Sequence, residues 1–221
     1  MAHAMSRELT NAEVAVFAAI QRGDYGDVCA FLKKLGNVNI ADPAKKTSEY
    51  TYTLVHATLE AFCTGRHAIE NYLKLGKDAK TTQVQALCKT QLEILDLVLR
   101  TRFDAMQVCS QDATTLPTLT MRWVEPPHTV AFFKVLMHRD HTHSGIKPNM
   151  CDLVPGQPCV FEAVQRRNFE AATFFFAHGI EVTTMNEDGE CLLYNAVMRR
   201  DLLAVEFLLR QTDINVNQLT F

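Results

Sequence analysis

The stretch Gly156-Gln-Pro-Cys-Val-Phe-Glu-Ala163-Val-Gln-Arg-Arg-Asn168-Phe-Glu-Ala-Ala-Thr-Phe-Phe-Phe-Ala-His-Gly179-Ile-Glu-Val182 decides the fold, because it returns downstream, with Gly156 recurring as Gly189 and Ala163 as Ala196. The second copy reads Gly189-Glu-Cys-Leu-Leu-Tyr-Asn-Ala196-Val-Met-Arg-Arg-Asp201-Leu-Leu-Ala-Val-Glu-Phe-Leu-Leu-Arg210. Small, apolar and polar classes recur position by position, and a fixed period of this length marks a repeat architecture. Each copy reads as two antiparallel helices. Ala163 and Ala196 sit where the partner helix must approach closely. Asn168 and Asp201 follow a polar break and are placed to cap the second helix. Ala172, Phe175 and Phe176, or Val205, Leu208 and Leu209, then recur at helical spacing. A single pair of this length cannot bury its own apolar face, so the copies are expected to stack.

The pattern resembles the ankyrin-repeat family, whose unit is about 33 residues long. Asn186-Glu-Asp-Gly189 falls at the expected hairpin tip, Leu193-Tyr194 at the family's Leu-His pair and Ala196-Val197 at its Ala-Ala pair. The family's Thr-Pro is missing: Pro158-Cys159 and Cys191-Leu192 stand in its place. The resemblance implies an all-α solenoid of stacked helix-turn-helix repeats with short hairpin loops. It is strongest over residues 150–217, extends over 12–76 and thins over 77–145, giving one expected domain, 1–221, of five or six repeats.

Upstream, the same template places turns near residues 23, 65, 90 and 128, ahead of those at 167 and 200. The second of these copies runs through Gly65. The third pairs residues 84–89 with 92–99, and the fourth turns at Pro126-Pro127. Only the last two turns keep the period. The uneven gaps between the others imply altered loops, for instance at 44–53, 103–117 and 138–149.

Composition narrows the function classes. With 48% hydrophobic and 21% charged residues the chain is globular material, and 9 Gly and 7 Pro are few for a protein built from many tight turns. A net charge of −3 and a pI near 6.2 argue against a nucleic-acid partner, since phosphate binding rests on accumulated Lys and Arg. No run approaches the ~18 apolar residues of a membrane span, so no membrane insertion is expected. Seven scattered Cys, without C-x-x-C, suit reduced thiols and an intracellular, cytoplasmic setting. Cys29, Cys63 and Cys88 read as small buried hydrophobes.

His138 and His143 have the H-x4-H spacing of a zinc pair, but Cys151 and Cys159 are separated by seven residues and form no second tight pair. Solvated helix-end histidines are the plainer reading, and no metal, cofactor or catalytic residue is expected. The rival is a metal-binding or enzymatic protein using segment 100–160. The apolar end near Val205-Glu-Phe-Leu-Leu209 suggests either a chain truncated after Phe221, as the N-terminal array of a longer multi-domain protein, or a partner covering that end.

The expected function is that of a non-enzymatic scaffold binding another protein. In ankyrin-like units the ends of the first helices and the hairpin tips line a concave groove. The resemblance therefore points to Arg22, Gln165, Arg166, Glu187, Asp188, Glu190, Met198 and Arg199 as partner-binding residues. An Arg ladder at 22, 166 and 199 suits an acidic surface, although Arg is also favoured at helix C-termini by the dipole. Phe174-Phe-Phe176 reads as core, and Trp123 as either core or groove anchor.

Overall fold

A computed structural model of the chain describes residues 10–35, 53–100, 116–138 and 158–211. Among them the regular structure is all α-helical: α1 (Asn11–Arg22), α2 (Tyr25–Leu35), α3 (Leu54–Asn71), α4 (Lys77–Leu99), α5 (Leu116–Trp123), α6 (Thr129–His138), α7 (Cys159–Gln165), α8 (Phe169–Ala177), α9 (Leu192–Met198) and α10 (Leu202–Leu209). No helix among the described residues is long and apolar enough to cross a membrane.

The helices pack as consecutive pairs, α1 with α2 through α9 with α10. Odd helices then contact the next odd helix from α1 to α9, and even helices the next even one from α2 to α8. Two layers result, each pair resting on its neighbours in chain order. Phe207 of α10 continues the even layer by stacking on Phe169 of α8 at 4.5 Å and 16°. One apolar cluster joins α1–α6 around Ile20, Leu59, Phe62, Leu95 and Phe132. A second, around Phe133, Phe161, Phe175 and Leu208, runs from α5 and α6 into α10. The middle pair contributes to both.

Local chemistry sets the helix limits. Thr10 starts α1 with a reciprocal cap, accepting from the Glu13 N–H while the Glu13 carboxylate accepts from the Thr10 N–H. Three of the turns between paired helices share one geometry. Gly23, Arg167 and Arg200 lie in the left-handed region at φ 71°, 56° and 55°. Their N–H groups bond the carbonyls of Ile20, Val164 and Val197, and the following N–H groups reach back to Ala19, Ala163 and Ala196. This double closure satisfies the last carbonyls of the first helix. Asp24, Asn168 and Asp201 then cap the second helix through the N–H groups of Asp27, Ala171 and Ala204. The expected capping roles of Asn168 and Asp201 are met, as are the burial of Ala163 and Ala196 and the turn at Pro126-Pro127.

The expected turns near 65 and 90 are not there. α3 and α4 run unbroken through both positions and form one long pair that turns at residues 72–76, so the described residues hold five pairs. Gly65 is a point of close approach: a Cβ there would lie 2.9 Å from Leu87 Cδ2. Gln91 is buried, and its Nε2 donates to the Ile20 carbonyl at the end of α1. Cys63 is exposed, unlike Cys88, and Cys29 is half-buried, which corrects the expectation that all three are buried. The altered loops expected at 44–53, 103–117 and 138–149 fall almost wholly outside the described residues.

Candidate functional site

The odd layer ends in a row of polar groups, and side chains there cross from one pair to the next. Gln21 and Gln165 occupy the same place, two residues before the left-handed turn. Gln21 Nε2 reaches α3, donating to the Ala57 carbonyl and the Glu60 carboxylate, each at 3.4 Å. Gln165 Nε2 reaches α9, donating to Asn195 Oδ1 at 3.1 Å. Asn195 Nδ2 in turn donates to Glu190 Oε2 at 3.1 Å, which also accepts from Asn186 Nδ2 at 3.2 Å.

Asn186 and Glu190 close the hairpin between α8 and α9. The Glu190 N–H donates to Asn186 Oδ1 at 2.8 Å, and an antiparallel bridge pairs Met185 with Cys191. Gly189 turns the tip with φ 71°. Glu187 and Asp188 stand exposed on that tip.

A parallel set of charges lies on α5 and α7. Glu162, with its carboxylate mostly covered, pairs with Arg166 Nε at 2.6 Å and Arg122 Nε at 3.4 Å. Arg22 pairs with Asp27 at 3.5 Å on the exposed surface of the first pair. Arg199 and Met198 are exposed at the end of α9. The structure therefore gathers Gln165, Arg166, Glu187, Asp188, Glu190, Met198 and Arg199 around α7, α9 and their hairpin. Arg22 keeps the register but sits on α1, with α3 and α5 between it and the rest.

Three residues absent from the sequence expectation tie this region together. Glu162 and Asn195 stand one repeat period apart, at one register position on the two short first helices, and each takes a bond from the preceding pair. A polar residue recurring on those otherwise apolar helices is the signal that marks them. Arg167 is the third. Its Nε donates to Asp201 Oδ2 at 2.9 Å, linking one turn to the next pair's cap. That bond is the first reason the largely buried Asp201 carboxyl lies below its ordinary range. Desolvation opposes the shift, and the Ala204 N–H adds to it. Asn168 extends the line backwards by donating to Thr129 Oγ1 at 2.9 Å.

Concavities among the described residues also lie away from this row. One of about 520 Å³ is lined by Arg66, Glu70, Lys77, Lys80 and His128. Two of its cations are already engaged: Arg66 pairs with Glu70 at 2.8 Å and Glu125 at 3.0 Å, and Lys80 Nζ donates to the Glu70 carbonyl at 2.6 Å. Burial, then Arg66, pushes His128 below its usual range. Another concavity, about 480 Å³, lies along α4 and α6, where Cys88, Leu92 and Val135 face it. Burial raises the Cys63 and Cys88 thiols, which makes them poorer nucleophiles at neutral pH.

Of the His/Cys cluster weighed as a zinc site, His141, His143 and Cys151 lie outside the described residues, as does the side chain of His138. Cys159 is fully buried, with Sγ 3.8 Å from Thr118 Oγ1. Among the described residues no group of three or more His, Cys, Asp or Glu is placed to hold a metal. No protein-family model matches the chain, and no curated protein matches it in sequence.

Proposed function

We propose that this chain is a degenerate ankyrin-like solenoid, one domain over 1–221, that works without catalysis as a scaffold for another protein. The reading rests on one observation above the others. The same left-handed turn and capped second helix recur at 23, 167 and 200, which sets Arg22, Arg166 and Arg199 at equivalent first-helix ends. Gln165, Glu187, Asp188, Glu190 and Met198 complete the binding face around the last hairpin. The interlocked amides of Gln165, Asn195 and Asn186 hold it in shape before a partner arrives, so association loses little ordering entropy.

The ladder suits an acidic or carboxylate-bearing protein surface. Arg166 and Arg22 are already ion-paired with Glu162 and Asp27, so a partner's carboxylates act in exchange; the exposed Arg22–Asp27 pair is of the weak kind. Neither nucleic acid nor membrane is the proposed partner, no cofactor is required, and cysteines scattered without a C-x-x-C pair fit a reducing, cytoplasmic setting.

The test is affinity capture with the wild-type chain and with Arg166→Glu/Arg199→Glu. Both positions are exposed, so the variant is expected to keep its helix content, with a melting temperature lowered modestly by the like charge that Arg166→Glu sets beside Glu162. Selective loss of partners is the expected result; an unchanged partner set would overturn the groove assignment.

A further inference from the structure

The register of the last two described pairs carries a consequence for the outer side of α9–α10. Gln165, Phe169 and Phe176 of α7–α8 meet the α9–α10 pair directly, and Phe161 and Val164 belong to α7, which packs against α9. Phe161 and Val164 are buried. Gln165 bonds Asn195, and Phe169 and Phe176 stack against Phe207. One repeat period further on, the same positions are Tyr194, Val197, Met198, Leu202 and Leu209. All five are apolar or aromatic, and all stand exposed: 37%, 53%, 63%, 68% and 49% of their surface is open. Even the polar member, Gln165, has become Met198. The side chains that would receive a following pair are thus repeated, made more apolar and left uncovered among the described residues.

We propose that this face is a self-association surface, on which a second copy of the chain docks its own α9–α10. Register alone would let this face accept a pair presented head to tail, as α7–α8 accepts α9–α10; its area and its rim favour a second copy meeting it face to face. The five side chains expose on the order of 500 Å², the size of patch that marks an interaction site on a monomer. Two copies would bury roughly 1,000 Å², the least that a specific interface needs. Exposed Arg199 and Arg210 accompany an exposed Glu206 on the same pair. Both signs are therefore present at the rim, as a two-fold, self-complementary contact requires.

The proposal shares Met198 and Arg199 with the groove reading but is tested separately, because its sedimentation variant leaves Arg166, Met198 and Arg199 untouched. The experiment is sedimentation of the wild-type chain over a wide concentration range, beside Leu202→Glu/Leu209→Glu. The wild type is expected to show a monomer–dimer equilibrium, and the variant a dissociation constant raised at least about 100-fold. Helix content of the variant should stay at the wild-type value, and its melting temperature should match that of the wild type at concentrations too low for the dimer. As a second readout, a photo-crosslinking residue at Met198 is expected to join the α9–α10 peptides of a light and a heavy copy. A wild type that stays monomeric throughout overturns the proposal. So do cross-links that run only within one copy, where residues 212–221 would be the occupant, or that land on α1–α2 of the second copy.

Discussion

Lowering the pH below 6.5 is expected to weaken this fold through His56 before its carboxylates titrate. His56 lies on the first turn of α3, almost fully buried, and burial holds its pKa at about 4 against an ordinary 6.5. The geometry points the same way. Nδ1 accepts from the Thr53 N–H at 3.0 Å, so a proton there would displace that bond and leave Nδ1 only Thr53 Oγ1, 2.7 Å away, to donate to. The neutral ring therefore belongs to the folded state, and the unfolded chain takes up the proton first. Stability from this source is complete above pH 6.5, falls as the pH drops and is wholly lost near pH 4. The interval between the two pKa values corresponds to roughly 3 kcal/mol, about 2 kcal/mol of it gone by pH 5.

His56→Asn offers an acceptor close to the position of Nδ1 but cannot titrate. It should cost about 2 kcal/mol at pH 7 for the lost ring volume, and it should lack the share of the acid sensitivity that comes from His56, keeping that of His128. Urea unfolding at a series of pH values between 7.5 and 4, followed by the single Trp123 beside the same apolar cluster, gives both curves. They are expected to converge and cross near about pH 5. Parallel curves over that range would refute the assignment of a buried neutral imidazole.

Arg200→Gly should stabilise by about 1 kcal/mol, because a side chain in the left-handed region is disfavoured, whereas Arg167→Gly should destabilise by about 1 kcal/mol, since it also gives up a charge-assisted bond to Asp201; chemical denaturation of the two variants side by side decides it. Phe207→Ala removes the aromatic contact between α8 and α10 and should cost about 2–3 kcal/mol. In a stacked array that loss stays local, so hydrogen exchange is expected to quicken over 192–209 and remain unchanged over 54–99. Cys63 is exposed, but its thiol is raised by burial and then by Glu125, so Glu125→Gln should speed its alkylation at pH 7.5, measured by intact mass.

The two downstream pairs were readable because period, cap and apolar spacing agree there: Asn168 and Asp201 mark the turns, and Ala163 and Ala196 the close approaches. Upstream the same rules misled. Gly65 looks like punctuation, yet it lies within a helix because Leu87 leaves no room for a Cβ, and that demand comes from a residue on another helix. Gln91 looks like a polar break, but its amide is buried to serve a carbonyl of α1, 71 residues away. At 167 and 200 the reverse holds: the left-handed turn is filled by Arg, so no residue type announces the geometry that Gly23 announces openly. The candidate site divides in the same manner. Residues fixed by position within one unit, such as Arg166 and Arg199, follow from the period alone. Those whose role is to reach the next unit, Glu162, Arg167 and Asn195, become legible only when two copies are laid side by side and the polar exceptions on otherwise apolar helices are compared. What repeats most faithfully in this chain is the backbone of the turn, and side chains were free to diverge wherever a neighbouring pair could supply the missing bond.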